Sequence, residues 1–271
     1  MPLHIYGARG TRPVSGLPYL KYSGHTSCFS LSLPEGLLII DAGTGLGLLG
    51  EQLQAQASLP PITLLLTHLH LDHVTGLGGF QPLTRADAVM TLMTDPRYIP
   101  NWQSGITQLM SRPFWPFELG TGGARLKLRD LDGPPGHPLR IYGATVTWCP
   151  VQHPQGCLSY RIETGSGSVV IATDRECGDT ALDAAFLTFC RGANLLIHDA
   201  QYTPQEYAQR RGWGHSTWEH AARVATEAGV GRLLLTSHDP TRSDDAIDAM
   251  LAQARRLFPK TDAATVGAVT L

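Results

Sequence analysis

Thr67-His68-Leu69-His70-Leu71-Asp72-His73 follows an apolar run, Ile62 to Leu66, and precedes Val74-Thr75-Gly76-Leu77-Gly78-Gly79. Three imidazoles and one carboxylate thus crowd together just after a core strand. Polar groups so close to a core are costly unless they are paired or bind metal. Imidazole and carboxylate are the usual zinc ligands. The alternating spacing points His68 and His70 together, while Asp72 and His73 turn toward a neighbouring position. One short loop can therefore serve two metals.

The same layout recurs outward from this loop. Leu37-Leu38-Ile39-Ile40 precedes Asp41, Val169-Val170-Ile171-Ala172 precedes Thr173, Leu195-Leu196-Ile197 precedes His198, and Leu233-Leu234-Leu235 precedes Thr236. Runs of this length bounded by polar residues read as buried strands whose ends carry a site. Helices are expected between several of them. Thr203-Pro204-Gln205-Glu206 has a capping Thr, Pro in the first turn and Glu three residues on, and Ser216-Thr217-Trp218-Glu219 repeats the box. Ser243 opens a helix in which Ile247, Met250, Leu251, Ala254 and Leu257 share one face. The class is α/β. The stretch from about residue 84 to 140, rich in Pro and Gly and holding Trp102, Phe114, Trp115 and Phe117, reads as a surface subdomain with its own small core.

Composition narrows the function classes. The 271 residues can bury a large core, and 42% hydrophobic with 16% charged residues is globular rather than disordered. A formal net charge of -2 provides no global positive field to gather a long polyanion. No apolar run is long enough to cross a bilayer. No basic segment leading into an apolar stretch is read at the start of the chain, so a cytoplasmic protein is expected. The five cysteines are scattered, without a close C-x-x-C pair, and read as reduced thiols.

The H-x-H-x-D-H pattern after an apolar strand resembles the metallo-β-lactamase superfamily. The likeness extends over nearly the whole chain. Asp41-Ala42-Gly43-Thr44-Gly45 matches its early strand-end turn, His153 its next metal histidine, Thr173-Asp174 its bridging aspartate and Thr236-Ser237-His238 its last histidine. The resemblance implies one domain over residues 1–271, an αββα sandwich of two β-sheets flanked by helices, with halves meeting near residue 140. It implies two divalent metal ions, zinc first, with manganese or iron also accepted by such ligands. His68, His70 and His153 would hold one, and Asp72, His73 and His238 the other, with Asp174 bridging. Asp41 is read as orienting a ligand imidazole rather than touching metal. Taken alone, His153 or His238 reads more readily as a buried hydrogen-bonding residue than as a ligand, and it is the full set that shifts the weight.

His198-Asp199-Ala200-Gln201-Tyr202 and Gly212-Trp213-Gly214-His215-Ser216-Thr217 look like the paired motifs of the RNase Z branch. That likeness implies that His215 contacts the scissile phosphate with Asp199 supporting it, and that Asp72 positions or deprotonates the attacking water. The branch's transfer-RNA-gripping arm normally lies between the third metal histidine and the bridging aspartate. Here only about twenty residues separate His153 from Asp174. The expectation is therefore a phosphodiesterase for a small substrate such as a cyclic nucleotide, with no stable nucleic-acid complex and no membrane partner. RNA 3′-end cleavage, lactone or thioester hydrolysis, and a binding protein with a dead site are the alternatives. Trp102, Trp115 and Trp213 are candidates for stacking on a base. A homodimer is also expected.

Overall fold

Each apolar run becomes a strand in the computed structural model, which describes residues 2–270. The first half supplies β1 (Pro2–Gly7), β2 (Cys28–Leu33), β3 (Gly36–Ile40), β4 (Ile62–Leu65), β5 (Val89–Thr94) and β6 (Arg125–Asp130). The second supplies β7 (Leu139–Ile141), β8 (Ala144–Val151), β9 (Cys157–Thr164), β10 (Gly167–Ala172), β11 (Leu195–Asp199), β12 (Arg232–Thr236), β13 (Thr261–Ala263) and β14 (Gly267–Thr270). The α-helices are α1 (Gly45–Gln54), α2 (Leu71–Val74), α3 (Trp102–Leu109), α4 (Thr180–Cys190), α5 (Pro204–Tyr207), α6 (Trp218–Glu227) and α7 (Asp244–Leu257).

The strands form two sheets, in the orders β14-β1-β2-β3-β4-β5-β6 and β13-β12-β11-β10-β9-β8-β7. Strands β3 to β6 pair in parallel, as do β10 to β13. Parallel strands covered on both faces need apolar residues throughout rather than in alternation, which is why β3, β4 and β11 are buried at every position. Leu3, Ile5, Phe29 and Leu31 from the first sheet meet Trp148, Tyr160, Ile171 and Ile197 from the second. The outer face of the first sheet packs on Leu46 and Leu49 of α1 and Trp102 and Ile106 of α3. That of the second packs on Phe186 of α4, Ala221 and Ala222 of α6, and Ile247 and Met250 of α7. Two sheets flanked by helices were expected, and the changeover lies between β6 and β7, close to residue 140. One strand breaks the division: β14 returns to pair with β1 in the first sheet.

Three expectations need correction. Residues 84–140 have no core of their own: β5 and β6 extend the first sheet, and Trp102, Ile106 and Met110 join the core beneath it, because α3 has an apolar face to bury. The box at Ser216 does not form. Thr217 caps α6 by accepting from His220 N–H at 3.1 Å, while Ser216 Oγ donates to the Arg175 carbonyl at 2.7 Å. Leu257, at the last residue of α7, is 48% exposed, since the core beneath that helix ends at Ala254. The box at Thr203 forms in full, and Ser243 caps α7.

Candidate metal centre

The site lies where parallel strands of both sheets run out. Thr67 to His73 follow β4, Thr173 and Asp174 follow β10, Asp199 ends β11, and Ser237 follows β12. From the antiparallel edge, His153 lies in the turn between β8 and β9. Strand ends anchored in two sheets hold these side chains more rigidly than free loops could.

Two clusters share one carboxylate. Ligand atoms of His68, His70, His153 and Asp174 lie within 4.8 Å of one another, and so do those of Asp72, His73 and Asp174. Asp174 Oδ2 faces His68 Nε2 at 3.7 Å and His153 Nε2 at 3.8 Å, whereas its Oδ1 faces His73 Nε2 at 3.3 Å. Each oxygen thus serves one cluster, the arrangement a bridging carboxylate needs. Asp72 Oδ2 lies 3.4 Å from the same His73 Nε2.

The remaining ring nitrogens are pinned so as to leave the ligating ones free. His73 Nδ1 lies 2.7 Å from Asp41 Oδ2, His68 Nδ1 3.0 Å from Thr67 Oγ1, and His153 Nδ1 2.7 Å from the Gly214 carbonyl. Asp41 is itself fixed, accepting from Thr67 N–H at 2.8 Å and Thr67 Oγ1 at 3.0 Å. Such outer partners set the tautomer and aim of a ligand imidazole.

The donor set fits a pair of divalent cations. His68 Nε2 and His73 Nε2 are buried without a hydrogen-bond partner, and His70 Nδ1 faces His153 Nε2 at 3.1 Å. Buried polar atoms are rarely left unmatched. Burial holds His68 well below the usual imidazole range and His153 down to about 4, leaving both neutral as metal binding requires. Burial also disfavours a charged His73, yet Asp174, Asp72 and Asp41 outweigh it and raise its pKa well above the usual value. Three carboxylates around one ring create a strong demand for positive charge, which a dication meets.

A third group stands against these two. His215 Nδ1 lies 2.8 Å from Asp199 Oδ2, and His215 Nε2 lies 3.9 Å from Asp174 Oδ2. Burial alone would lower the His215 pKa, but Asp199 and Asp174 overcome it and raise it to about 9. Burial lifts the Asp199 carboxyl, with the His215 charge opposing. The two carboxylates favour the charged form of His215, and the charged ring in turn favours ionised Asp199.

His238 does not join. Its Nε2 lies 2.9 Å from the Ala264 carbonyl, its ring packs on Tyr22 with centroids 5.6 Å apart, and its charged neighbours are Arg9, Arg242 and Asp244. The expected ligand role of His238 is corrected on that geometry. Ser237 turns through a left-handed φ of 55°, presents its own Oγ 3.3 Å from Asp174 Oδ1, and sends the next side chain the other way.

Several contributors escaped sequence reading. Glu176 is buried beside Asp174 and accepts from Gly212 N–H at 2.7 Å, Gly214 N–H at 2.8 Å and Tyr207 Oη at 3.0 Å. It thereby fixes the loop that carries His215 and the carbonyl that orients His153. Its one sequence signal was an acidic residue two positions after Asp174. Gly214 has φ +87°, and a Cβ there would sit 2.3 Å from His153 Nδ1, so the loop closes only on glycine. Thr11 N–H donates to Asp72 Oδ2 at 2.6 Å, tying the N-terminal segment to the second cluster. Among the three tryptophans, Trp102 is buried and bonded to Asp130, Trp115 lies over Gly78, and Trp213 is 63% exposed two residues from His215. Ile99, Pro100, Pro154 and Gln155 line a cleft beside His68 and His70.

A family model described as a beta-lactamase superfamily domain matches residues 37–238. Ribonuclease Z of Brevibacillus brevis is 38% identical over 91 residues, a match spanning 32% of this chain and 29% of that enzyme. Ribonuclease Z of Mycobacterium avium is 30% identical over 248 residues, covering 85% of this chain and 82% of that one. The crystal structure of the metallo-beta-lactamase fold protein YhfI from Bacillus subtilis shares the fold with a TM-score of 0.75 at 22% identity, covering 98% of this chain and 97% of that chain. The chain belongs to the metallo-β-lactamase superfamily, in its RNase Z-like branch.

Proposed function

We propose that this metallo-hydrolase cleaves a small phosphodiester, such as a cyclic nucleotide or related cyclic phosphate. The observation that carries the reading is the His215–Asp199 pair, set with Nε2 toward the carboxylate that both metal clusters share. An ester oxygen leaving phosphorus needs a proton, and an imidazolium held by a buried carboxylate can donate one. Bound divalent metals would supply Lewis-acid activation of the phosphoryl group and of water, held by His68, His70, His153 and Asp174 and by Asp72, His73 and Asp174. Asp72, steadied by Thr11 N–H, would orient the attacking water and take its proton. Asp199 keeps the His215 ring aimed and charged.

Small size is supported by the segment between His153 and Asp174, which is no more than the β9–β10 hairpin with a turn at 165–166. Nothing there projects to grip a folded RNA. Trp213, exposed on the His215 loop, is the candidate for stacking on a base, worth about 1–3 kcal/mol where it occurs. RNA 3′-end cleavage is the second reading, favoured by the likeness to ribonuclease Z of Mycobacterium avium. Exposed Phe114 and Phe117 support a homodimer, which light scattering tests.

The deciding experiment offers the metal-loaded protein a cyclic nucleotide, a chromogenic phosphodiester, precursor transfer RNA and a lactone, at low and physiological salt. Cleavage of a small diester should hold across the two salts, because one phosphate is neutralised rather than many. Efficient, specific cutting of precursor transfer RNA would replace this reading with the second one.

A further inference from the structure

We infer that the two metal positions are unequal, one closed and tightly held, the other missing an imidazole and exchangeable. The inference rests on the metal-centre part of the proposed function and not on its substrate. Beside the first position stand four protein donors, the three imidazoles of His68, His70 and His153 with Asp174, a complete tetrahedral set of the kind zinc favours. Beside the second, among the described residues, stand Asp72, His73 and the shared Asp174, a single nitrogen among carboxylates.

The strand end that should complete the second set is occupied by a hydroxyl. Ser237, fully buried, lies with Oγ 3.3 Å from Asp174 Oδ1 and also donates to the Thr173 carbonyl. The neighbouring His238 bonds the Ala264 carbonyl through Nε2 and stands outside both ligand groups. Asp72 is weakened as a donor as well, since the oxygen nearest His73 already accepts the Thr11 N–H at 2.6 Å. A cation site nevertheless exists there: His73 Nε2 is fully buried, unpartnered and aimed at both carboxylates. Fewer donors and a larger share of hard oxygen lower zinc affinity and widen the choice of metal toward manganese.

The test is metal binding, read independently of turnover. Protein stripped with chelator and titrated with zinc chloride against a competing chelator should show two classes, with the second equivalent at least about tenfold weaker. Gel filtration should then leave one equivalent by elemental analysis, and manganese chloride in large excess should replace zinc in the weaker class alone. Ser237→His places an imidazole at the strand end, and His tolerates the left-handed backbone there better than most residues. It should tighten the second class by about tenfold or more, while His238→Ala leaves both classes unchanged. Two equally tight equivalents in the unaltered protein would overturn the inference, as would loss of the second class in His238→Ala. A stripped protein that binds no zinc overturns both the inference and the metal-centre reading, whereas failure of the substrate reading leaves these titrations as they are.

Discussion

His215 and Asp199 make one buried hydrogen-bonded pair, Nδ1 to Oδ2 at 2.8 Å, and the opposite nitrogen of His215 faces Asp174 at 3.9 Å. One edge of the ring is thus spent on holding its charge and the other is directed at the shared carboxylate of the metal centre. The loop carrying His215 is fixed by Glu176, which accepts from Gly212 and Gly214 N–H, and by His153, whose Nδ1 meets the Gly214 carbonyl.

His215→Ala should lower turnover of a chromogenic phosphodiester by about a hundredfold or more while the zinc content is retained. Asp199→Asn, which removes the counter-charge but keeps the shape, should cost about tenfold or more. Steady-state rates paired with elemental analysis check both. Unchanged turnover in His215→Ala would remove that residue from the chemistry.

Glu176→Gln leaves one of the Gly212 and Gly214 N–H groups without an acceptor, because an amide nitrogen cannot accept. The buried orphan should cost about 1–3 kcal/mol of stability. As a positioning residue, Glu176 should also affect kcat more than KM, since the loop it holds carries His215. Thermal melts and Michaelis parameters measured together test this, and a lowered melting temperature with an intact kcat would confine Glu176 to a structural role.

Asp41→Asn should weaken zinc binding about 10–100-fold. The carboxylate at 2.7 Å holds His73 with its proton on Nδ1, leaving Nε2 free, and an amide presents either a donor or an acceptor there. Chelator competition measures the change. Equal affinity in the variant would mean that His73 is oriented by packing alone.

Burial holds the His238 imidazole at about 4, below the ordinary 6.5, despite its bond to the Ala264 carbonyl. The folded state therefore binds fewer protons than the unfolded one in this interval. The contribution is fully present above pH 6.5 and is lost as the pH falls toward 4, on the order of 3 kcal/mol in total. His238→Gln, able to keep the bond to Ala264, should flatten the pH dependence of denaturant stability between those limits. An unchanged slope would show that His238 titrates normally in the fold.

What the sequence by itself determined was local and periodic. The apolar runs before Asp41, Thr67, Thr173, His198 and Thr236 read as strands because parallel strands buried on both faces leave no polar alternation to confuse the reading. Spacing within Thr67 to His73 announced the metal loop, since four donors that close together have few other uses. The caps at Thr203 and Ser243 were legible for the same reason: a helix start is decided by atoms within three residues. Only the tertiary structure could decide between Ser237 and His238, adjacent in the chain and turned to opposite sides by one left-handed residue. It also moved the cap from Ser216 to Thr217, because the Ser216 hydroxyl is engaged by the Arg175 carbonyl 41 residues away in sequence. Glu176 and Thr11 entered the site through partners distant in sequence, Gly214 and Asp72. Direction of a side chain depends on backbone torsions and on who stands across the gap, and neither is encoded in the spacing of residue types.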